Sequence, residues 1–242
     1  MSKSYGFRAR VGYACPPRVA EVFVYEFYKI APPGVTLAIS TVGGGRSTLE
    51  ERREAGMRLI DAGEELARNG VNAVVLGGEP LNAAVGDELP GILESLTERY
   101  GIPFTTSMTA QALALQALGA RRIAVLSYND RDGSEDLLPD DTSGNIEIVV
   151  QKHAGYPGVH HLGRIPVDVA PRLAREAVRE HPEIDTIKIA CAHQPSVEAI
   201  DGIEQELGVG VMSASQAITW QGLRQAGISD SIPGKGRLLR DF

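Results

Sequence analysis

The sequence predicts an α/β protein: two pseudo-symmetric lobes, each a four-stranded, mainly parallel sheet flanked by helices, with a cleft between them. Three observations lead there. Apolar runs of strand length alternate with segments of helical periodicity along the whole chain, the pattern of parallel α/β folds. Four such runs fall in each half. The second half also reads as a copy of the first: VNAVVLGGEP (71–80) registers on IDTIKIACAH (184–193), and YGIPFTTSMTAQAL (100–113) on LGVGVMSASQAI (207–218). The first pair are apolar runs that break into small-residue turns. The second pair each read as a short strand, a Ser/Thr-rich cap and an alanine-rich helix.

Taken in order, strands are expected at 7–14, 35–40, 72–77, 103–106, 122–128, 146–150, 186–190 and 209–212. Helices are expected at 17–30, 48–69, 88–100, 108–118, 168–181, 196–206 and 214–226. The first strand ends against Pro16 and Pro17, which fix the backbone and lack a ladder donor. Helix 17–30 contains VAEVFVYEFYKI (19–30), apolar on more than one face. Burial between lobes and a homo-oligomer contact both account for that. Helix 48–69 has the sharpest signals. Ser47 or Thr48 caps it, Glu50, Glu51 and Glu54 fill its first turns, and Asn69-Gly70 stops it. A crossover near 116–121 divides the chain into a first lobe of 1–117 plus 214–242 and a second lobe of 118–213, the last helix and tail packing back on the first.

Length and charge exclude several function classes. A chain of 242 residues can bury a full core. The net charge of −7, without a basic cluster, argues against nucleic acid and anionic membrane surfaces as partners. No apolar stretch approaches the ~20 residues of a membrane helix. The N-terminal MSKSYGFRARVGYACPP lacks the apolar core of a signal peptide, so a cytoplasmic protein is expected. Two cysteines make neither a disulfide framework nor a paired zinc-ligand spacing. There is no GxGxxG turn after the first strand and no phosphate-binding GxxxxGK[ST], so no nucleotide cofactor is expected.

Ligands of open parallel sheets bind outside the carboxyl ends of the strands. That rule selects residues 14–17, 77–80, 127–129 and 191–193, with the TVGGG loop (41–45) beside them. Registering the two halves sets Gly78 opposite Cys191. Cys191 ends an apolar strand, and a thiol near the N-terminus of helix 196–206 would have its thiolate favoured by the helix dipole. The alternative is a buried cysteine acting as a small hydrophobe. His193 orients a ligand carboxylate, tunes Cys191, or simply caps the following turn. Glu79, in the turn opposite Cys191, is a general base, a counter-charge or a solvated turn residue. Ser127 and Tyr128 end the first strand of the second lobe, where a tyrosine hydroxyl can donate to a carboxylate or an enolate. Cys15 reads as a packing cysteine, and His160, His161 and Arg164 as loop residues.

With these segments in hand the chain resembles the aspartate/glutamate racemase superfamily, and within it the arylmalonate decarboxylase and maleate cis-trans isomerase branch. The resemblance is carried by GYACPP (12–17), VVLGGEPL (74–81), PFTTSMTAQALALQALGARRIAVLSY (103–128), the cysteine turn, VMSASQAITWQGLRQAG (211–227) and PGKGRLL (233–239). It implies cofactor-free acid–base chemistry at the carbon next to a carboxylate. Racemases and maleate isomerases of this kind carry a cysteine in each lobe. Arylmalonate decarboxylases keep only the second and have glycine at the first, the pattern of Gly78 with Cys191. The resemblance further implies that Pro16 is the cleft proline, Tyr128 the carboxylate-binding tyrosine, and the backbone near Gly78, Ala192 and His193 a carboxylate cradle. Two departures stand out. Glu79 and Pro80 occupy positions where the decarboxylase has small hydroxyl residues, and 129–145 is an acidic, glycine-containing stretch where relatives start a helix.

The expected protein is thus a cofactor-independent acid–base enzyme acting at the α-carbon of a small carboxylic acid, arylmalonate-decarboxylase-like, with Cys191 protonating an enediolate. A maleate isomerase, an Asp/Glu-racemase-like isomerase using Glu79 as second base, and a catalytically silent binder of a small metabolite are the alternatives.

Overall fold

The structure is a computed structural model that describes residues 4–43, 48–129, 146–156 and 159–242. All eight expected strands are present: β1 (Ala9–Cys15), β2 (Val35–Thr41), β3 (Ala73–Leu76), β4 (Phe104–Thr106), β5 (Arg122–Ser127), β6 (Glu147–His153), β7 (Thr186–Ile189) and β8 (Gly210–Ser213). They form two four-stranded sheets, ordered β2-β1-β3-β4 and β6-β5-β7-β8, with every pairing parallel. The second order is the first with four added to each strand, so the repeat in the sequence is a repeat in topology.

The register makes the correspondence residue by residue. Ala14 pairs with Leu76 in the first sheet, and Leu126 with Ile189 in the second. Directly after these pairs, Gly77 N–H donates to the Ala14 carbonyl at 2.9 Å, and Ala190 N–H to the Leu126 carbonyl at 2.9 Å. Gly77 therefore matches Ala190, Gly78 matches Cys191, and Pro16 matches Tyr128. The caps after β4 and β8 match as well. Thr106 Oγ1 accepts from Thr109 N–H at 3.0 Å, and Ser213 Oγ from Gln216 N–H at 3.2 Å. These start helices α5 (Ser107–Leu118) and α8 (Ala214–Gln225).

The remaining helices are α1 (Val22–Ile30), α2 (Leu49–Arg68), α3 (Glu79–Val85), α4 (Leu89–Tyr100), α6 (Val169–Glu180), α7 (Ile200–Leu207) and α9 (Arg237–Asp241). In α2 the capping box is complete. Thr48 Oγ1 accepts from Glu51 N–H at 3.1 Å while the Glu51 carboxylate takes Thr48 N–H at 3.2 Å, and Asn69 closes the other end. Leu59, Leu66, Val74, Leu76 and Phe104 belong to one buried cluster between α2 and the first sheet. That burial fixes which face of the sheet α2 covers.

Three local expectations are corrected. The GGEP segment is not only a turn: Glu79 begins α3, helped by a proline in its first turn and an acidic residue at its positive end. Helix α1 starts at Val22 rather than at 17, after Pro16 and Pro17. Helix α7 starts at Ile200 rather than at 196, because residues 191–199 are taken up by turns. The acidic stretch from 130, residues Gly44 and Gly45 of the TVGGG loop, and the side chains of His160 and His161 lie outside the described residues.

The chain divides into two compact units. The first comprises Met1–Ala20, Ala31–Ala110 and Ile218–Asp230; the second comprises Glu21–Ile30, Gln111–Ala217 and Ser231–Phe242. This differs from the expected 1–117 plus 214–242 against 118–213 at three places. Helix α1 belongs to the second unit although it follows β1 in sequence, residues 111–117 of α5 belong to the second unit as well, and the tail is shared, with 218–230 in the first unit and 214–217 and 231–242 in the second.

Candidate functional site

In the first unit the candidate residues meet at the ends of β1 and β3. Gly78 adopts φ +77°, the left-handed region that glycine enters without penalty. A Cβ built on it would stand 2.7 Å from Pro16 Cγ, and one on Gly77 would stand 2.5 Å from the Tyr13 hydroxyl. The turn is thus packed beneath Pro16 and Tyr13 with no space for a side chain on its inner surface. Glu79 and Pro80 follow as the half-buried start of α3. Asn82, which sequence reasoning missed, holds this turn. It is 1% exposed, and its Nδ2 donates to the carbonyls of Leu76 at 3.1 Å and Gly77 at 3.0 Å. The signal available for it was a polar residue inside an otherwise apolar helical stretch, too short to read.

In the second unit, β7 delivers Cys191 to the corresponding place. Its φ is +73°, and among the described residues it is the single non-glycine with positive φ. A side chain in that region costs roughly 1–2 kcal/mol, and such strain persists where surrounding structure over-determines it. The thiol is half-buried, while Cys15 is buried at the end of β1, as a packing residue should be, and neither cysteine is in a disulfide. Cys191 begins a turn closed by Gln194 N–H to the Cys191 carbonyl at 3.4 Å. Ala192 and His193 lie inside it, both buried, and the His193 ring sits 6.4 Å from that of Phe23 on α1. Cys191 does not stand at the start of a helix, contrary to expectation, since α7 starts only at Ile200.

Ser127 and Tyr128 close β5 next to β7, both half-buried. Ser127 Oγ donates to Asn129 Oδ1 at 2.5 Å, and the Tyr128 carbonyl accepts Tyr156 N–H at 2.9 Å. Arg164 is exposed, but residues 159–164 form a short 3-10 helix that ends at Arg164 rather than the expected loop.

The residue that sequence reasoning most clearly overlooked is Glu26. It is 4% exposed on α1 and lies beside the Cys191 turn. Its Oε1 accepts Ser196 N–H at 2.5 Å and Val197 N–H at 2.9 Å, and its Oε2 accepts the Ser196 hydroxyl at 3.1 Å and the Ser215 hydroxyl. Burial pushes the Glu26 carboxyl above its ordinary value, and these donors oppose that shift. Hidden in an aromatic helix, it gave no pattern in the sequence. Among the described residues no group of three or more His, Cys, Asp or Glu side chains is placed to hold a metal ion. Among them, too, no helix is long and apolar enough to cross a membrane.

A duplicated parallel α/β scaffold, with a strained cysteine turn in one copy and a glycine turn in the other, defines a class of two-unit proteins built around strand-end turns. The chain belongs to the arylmalonate decarboxylase family, whose model matches residues 38–239. It is 29% identical over 209 residues to the arylmalonate decarboxylase of Bordetella bronchiseptica, covering 86% of this chain and 87% of that protein. It is 26% identical over 197 residues to the maleate isomerase of Nocardia farcinica, covering 78% and 75%. The same kinship appears among solved structures. A double mutant of arylmalonate decarboxylase in its liganded form superposes with a TM-score of 0.83 at 27% identity, over 95% of this chain and 98% of that one. The maleate isomerase of Pseudomonas putida S16 with maleate, at 21% identity and a TM-score of 0.81, shares the fold. These relatives are enzymes, decarboxylase and isomerase.

Proposed function

We propose that this protein is a cofactor-independent, cytoplasmic enzyme that decarboxylates a small malonate-type acid, with Cys191 as the proton donor. The bond between the α-carbon and one carboxylate breaks and releases carbon dioxide. The electron pair left behind forms an enediolate with the retained carboxylate, and the Cys191 thiol protonates the α-carbon. The thiolate then regains a proton from water, so each turnover consumes one proton. Hydrogen-bond donors aimed at a developing enediolate are worth several kcal/mol in a site that excludes water. Backbone N–H groups at Ala192 and His193, with the Tyr128 hydroxyl, take that role. Following the family resemblance, the Gly78 turn beneath Pro16 receives substrate carboxylate, and Glu79 and Pro80 adjust which acid is accepted. Ser127 supports Tyr128 from the end of β5.

The observation that carries this reading is the backbone of Cys191. A non-glycine side chain held at φ +73°, where the matching residue of the other copy is a glycine at φ +77°, is a strained position that packing alone does not require. The relationship to a maleate isomerase supports cis-trans isomerisation as the second reading, through protonation of or addition to a double bond by the same thiol. Proton NMR in heavy water with phenylmalonate, methylmalonate, maleate, aspartate and glutamate, run beside Cys191→Ala, tests both. Loss of a carboxylate with one deuterium gained supports the decarboxylase. Fumarate from maleate supports the isomerase. Turnover that survives Cys191→Ala refutes both.

A further inference from the structure

The segment that carries Cys191 is held in an unfavourable state. Cys191 sits at φ +73°. Three residues on, Gln194 is fully buried, and neither its side-chain nitrogen nor its oxygen has a hydrogen-bond partner. A buried polar group left without a partner is destabilising. A turn with these two features needs an opposing constraint, and helix α1 supplies it. Three of its residues, one turn apart, meet the segment in order. The Phe23 ring lies against His193, the Glu26 carboxylate takes the N–H groups of Ser196 and Val197, and Lys29 forms an ion pair with Glu198 at 2.8 Å.

The central contact is the strong one. Lys29 and Glu198 are both well exposed, so screening leaves their pair little weight. The Glu26 carboxylate is buried, and hydrogen bonds to a charged acceptor are about twice as strong as neutral ones. It also reaches the start of α8 through the Ser215 hydroxyl, which lies 3.2 Å from both Ser196 Oγ and Ser213 Oγ. One carboxylate thus ties the Cys191 segment to the cap of the helix that follows β8.

We infer that Glu26 is a positioning residue: its buried carboxylate holds residues 194–197 and thereby fixes the strained turn that presents the Cys191 thiol. The inference rests on the reading that Cys191 is the acting thiol. It adds a residue from a helix that the chain order assigns to the other half of the molecule. The turn is otherwise free to relax toward negative φ, which would swing the thiol from its working position. A displacement of about 1 Å at a reacting group can cost on the order of 100-fold in rate.

The test compares Glu26→Gln, Glu26→Asp and Glu204→Gln with wild type and Cys191→Ala. Glu204 is the control. It is a buried carboxylate of the same unit whose partners, Val211 N–H at 3.1 Å and Arg237 N–H at 2.8 Å, lie away from the cysteine segment. Two readouts are taken at 25 °C, well below each melting temperature. The first is kcat and KM on whichever panel acid wild type converts. The second is the rate of Cys191 alkylation by iodoacetamide, followed by peptide mass spectrometry, which needs no substrate. Glu26→Gln should lower kcat roughly tenfold or more with KM changed by less than about twofold, and shift the alkylation rate at least about fivefold. Glu26→Asp, which keeps the carboxylate, should recover part of both losses. Glu204→Gln should lower the melting temperature and leave both readouts at wild-type values. A folded Glu26→Gln protein with kcat and alkylation within twofold of wild type overturns the inference. If Glu26→Gln does not fold, wild-type values in Glu26→Asp, despite its carboxylate being drawn back by a methylene, overturn it. Turnover that persists in Cys191→Ala, or its absence from wild type, counts against the functional reading instead, and the alkylation arm still decides the role of Glu26.

Discussion

Replacing Cys191 by glycine leaves the protein more stable than replacing it by alanine if its backbone is strained. At ordinary helix or strand positions glycine is less stable than alanine by roughly 0.5–1 kcal/mol, because its unfolded chain is freer. At φ +73° the order inverts, since alanine keeps the clash between Cβ and carbonyl that glycine lacks. That clash is worth about 1–2 kcal/mol. Setting it against the entropy cost leaves Cys191→Gly more stable than Cys191→Ala by about 1 kcal/mol. The thiol is only half-buried, so both variants lose little packing and the comparison isolates the backbone. For a chain of this size the difference is roughly 2–4 °C in melting temperature, readable by circular dichroism. Both variants should be inactive, so the glycine protein would be the steadier and the silent one. A Cys191→Ala protein that melts at or above Cys191→Gly would refute strain at this site, and with it the argument that function selected the conformation.

The other expectations follow from the same geometry. Gly78→Ala meets both the positive φ and Pro16 Cγ at 2.7 Å, and should lose about 2–4 kcal/mol in urea unfolding. Asn82→Leu leaves the carbonyls of Leu76 and Gly77 unsatisfied and should cost about 1–3 kcal/mol, with kcat falling beside stability if the Gly78 turn binds substrate. Glu26 predicts a pH effect of definite sign. Its folded-state pKa is raised above the ordinary 4.5, so the folded protein holds that proton more tightly than the unfolded chain. The resulting stability is fully present below the unfolded value and is lost as pH rises through the folded one. The stability of wild type relative to Glu26→Gln should therefore decline as pH rises from 4 toward neutrality, and a rise would contradict the burial of this carboxylate.

The strand framework was legible because parallel strands buried on both faces read as continuous apolar runs, as AVVL (73–76) and IAVL (123–126) do. The repeat carried further, since aligning VVLGGEP on IKIACAH located two turns of nearly equal φ. What escaped were features that depend on distant partners or on short elements. Helix α3 is seven residues long, and its Gly-Gly-Glu-Pro start reads as a turn. The Glu26 carboxylate takes the N–H groups of Ser196 and Val197, just ahead of α7, across 170 positions of sequence, a contact no local pattern shows. Membership of α1 in the second unit has the same origin. Periodicity shows that a helix has an apolar face but not which sheet receives it. Gln194 and Asn82 are polar residues at buried positions, where pattern reading has no signal at all.

The place of α1 bears on how this chain can be divided. A cut near residue 117, at the boundary of the duplication, would yield two fragments that each resemble half of the protein. The fragment with Cys191 would lack Glu21–Ile30, and the fragment with Glu26 would lack Ser196 and Val197. Neither piece holds both sides of that anchor. During synthesis Glu26 is made long before the segment it supports, so this helix waits for nearly the whole chain before its buried carboxylate meets a partner. Long-range contacts of this kind slow folding, because loop closure must precede their reward. The duplication is therefore complete as topology but not as inheritance: each half of the gene encodes a sheet, and only the joined chain encodes the seat of the thiol.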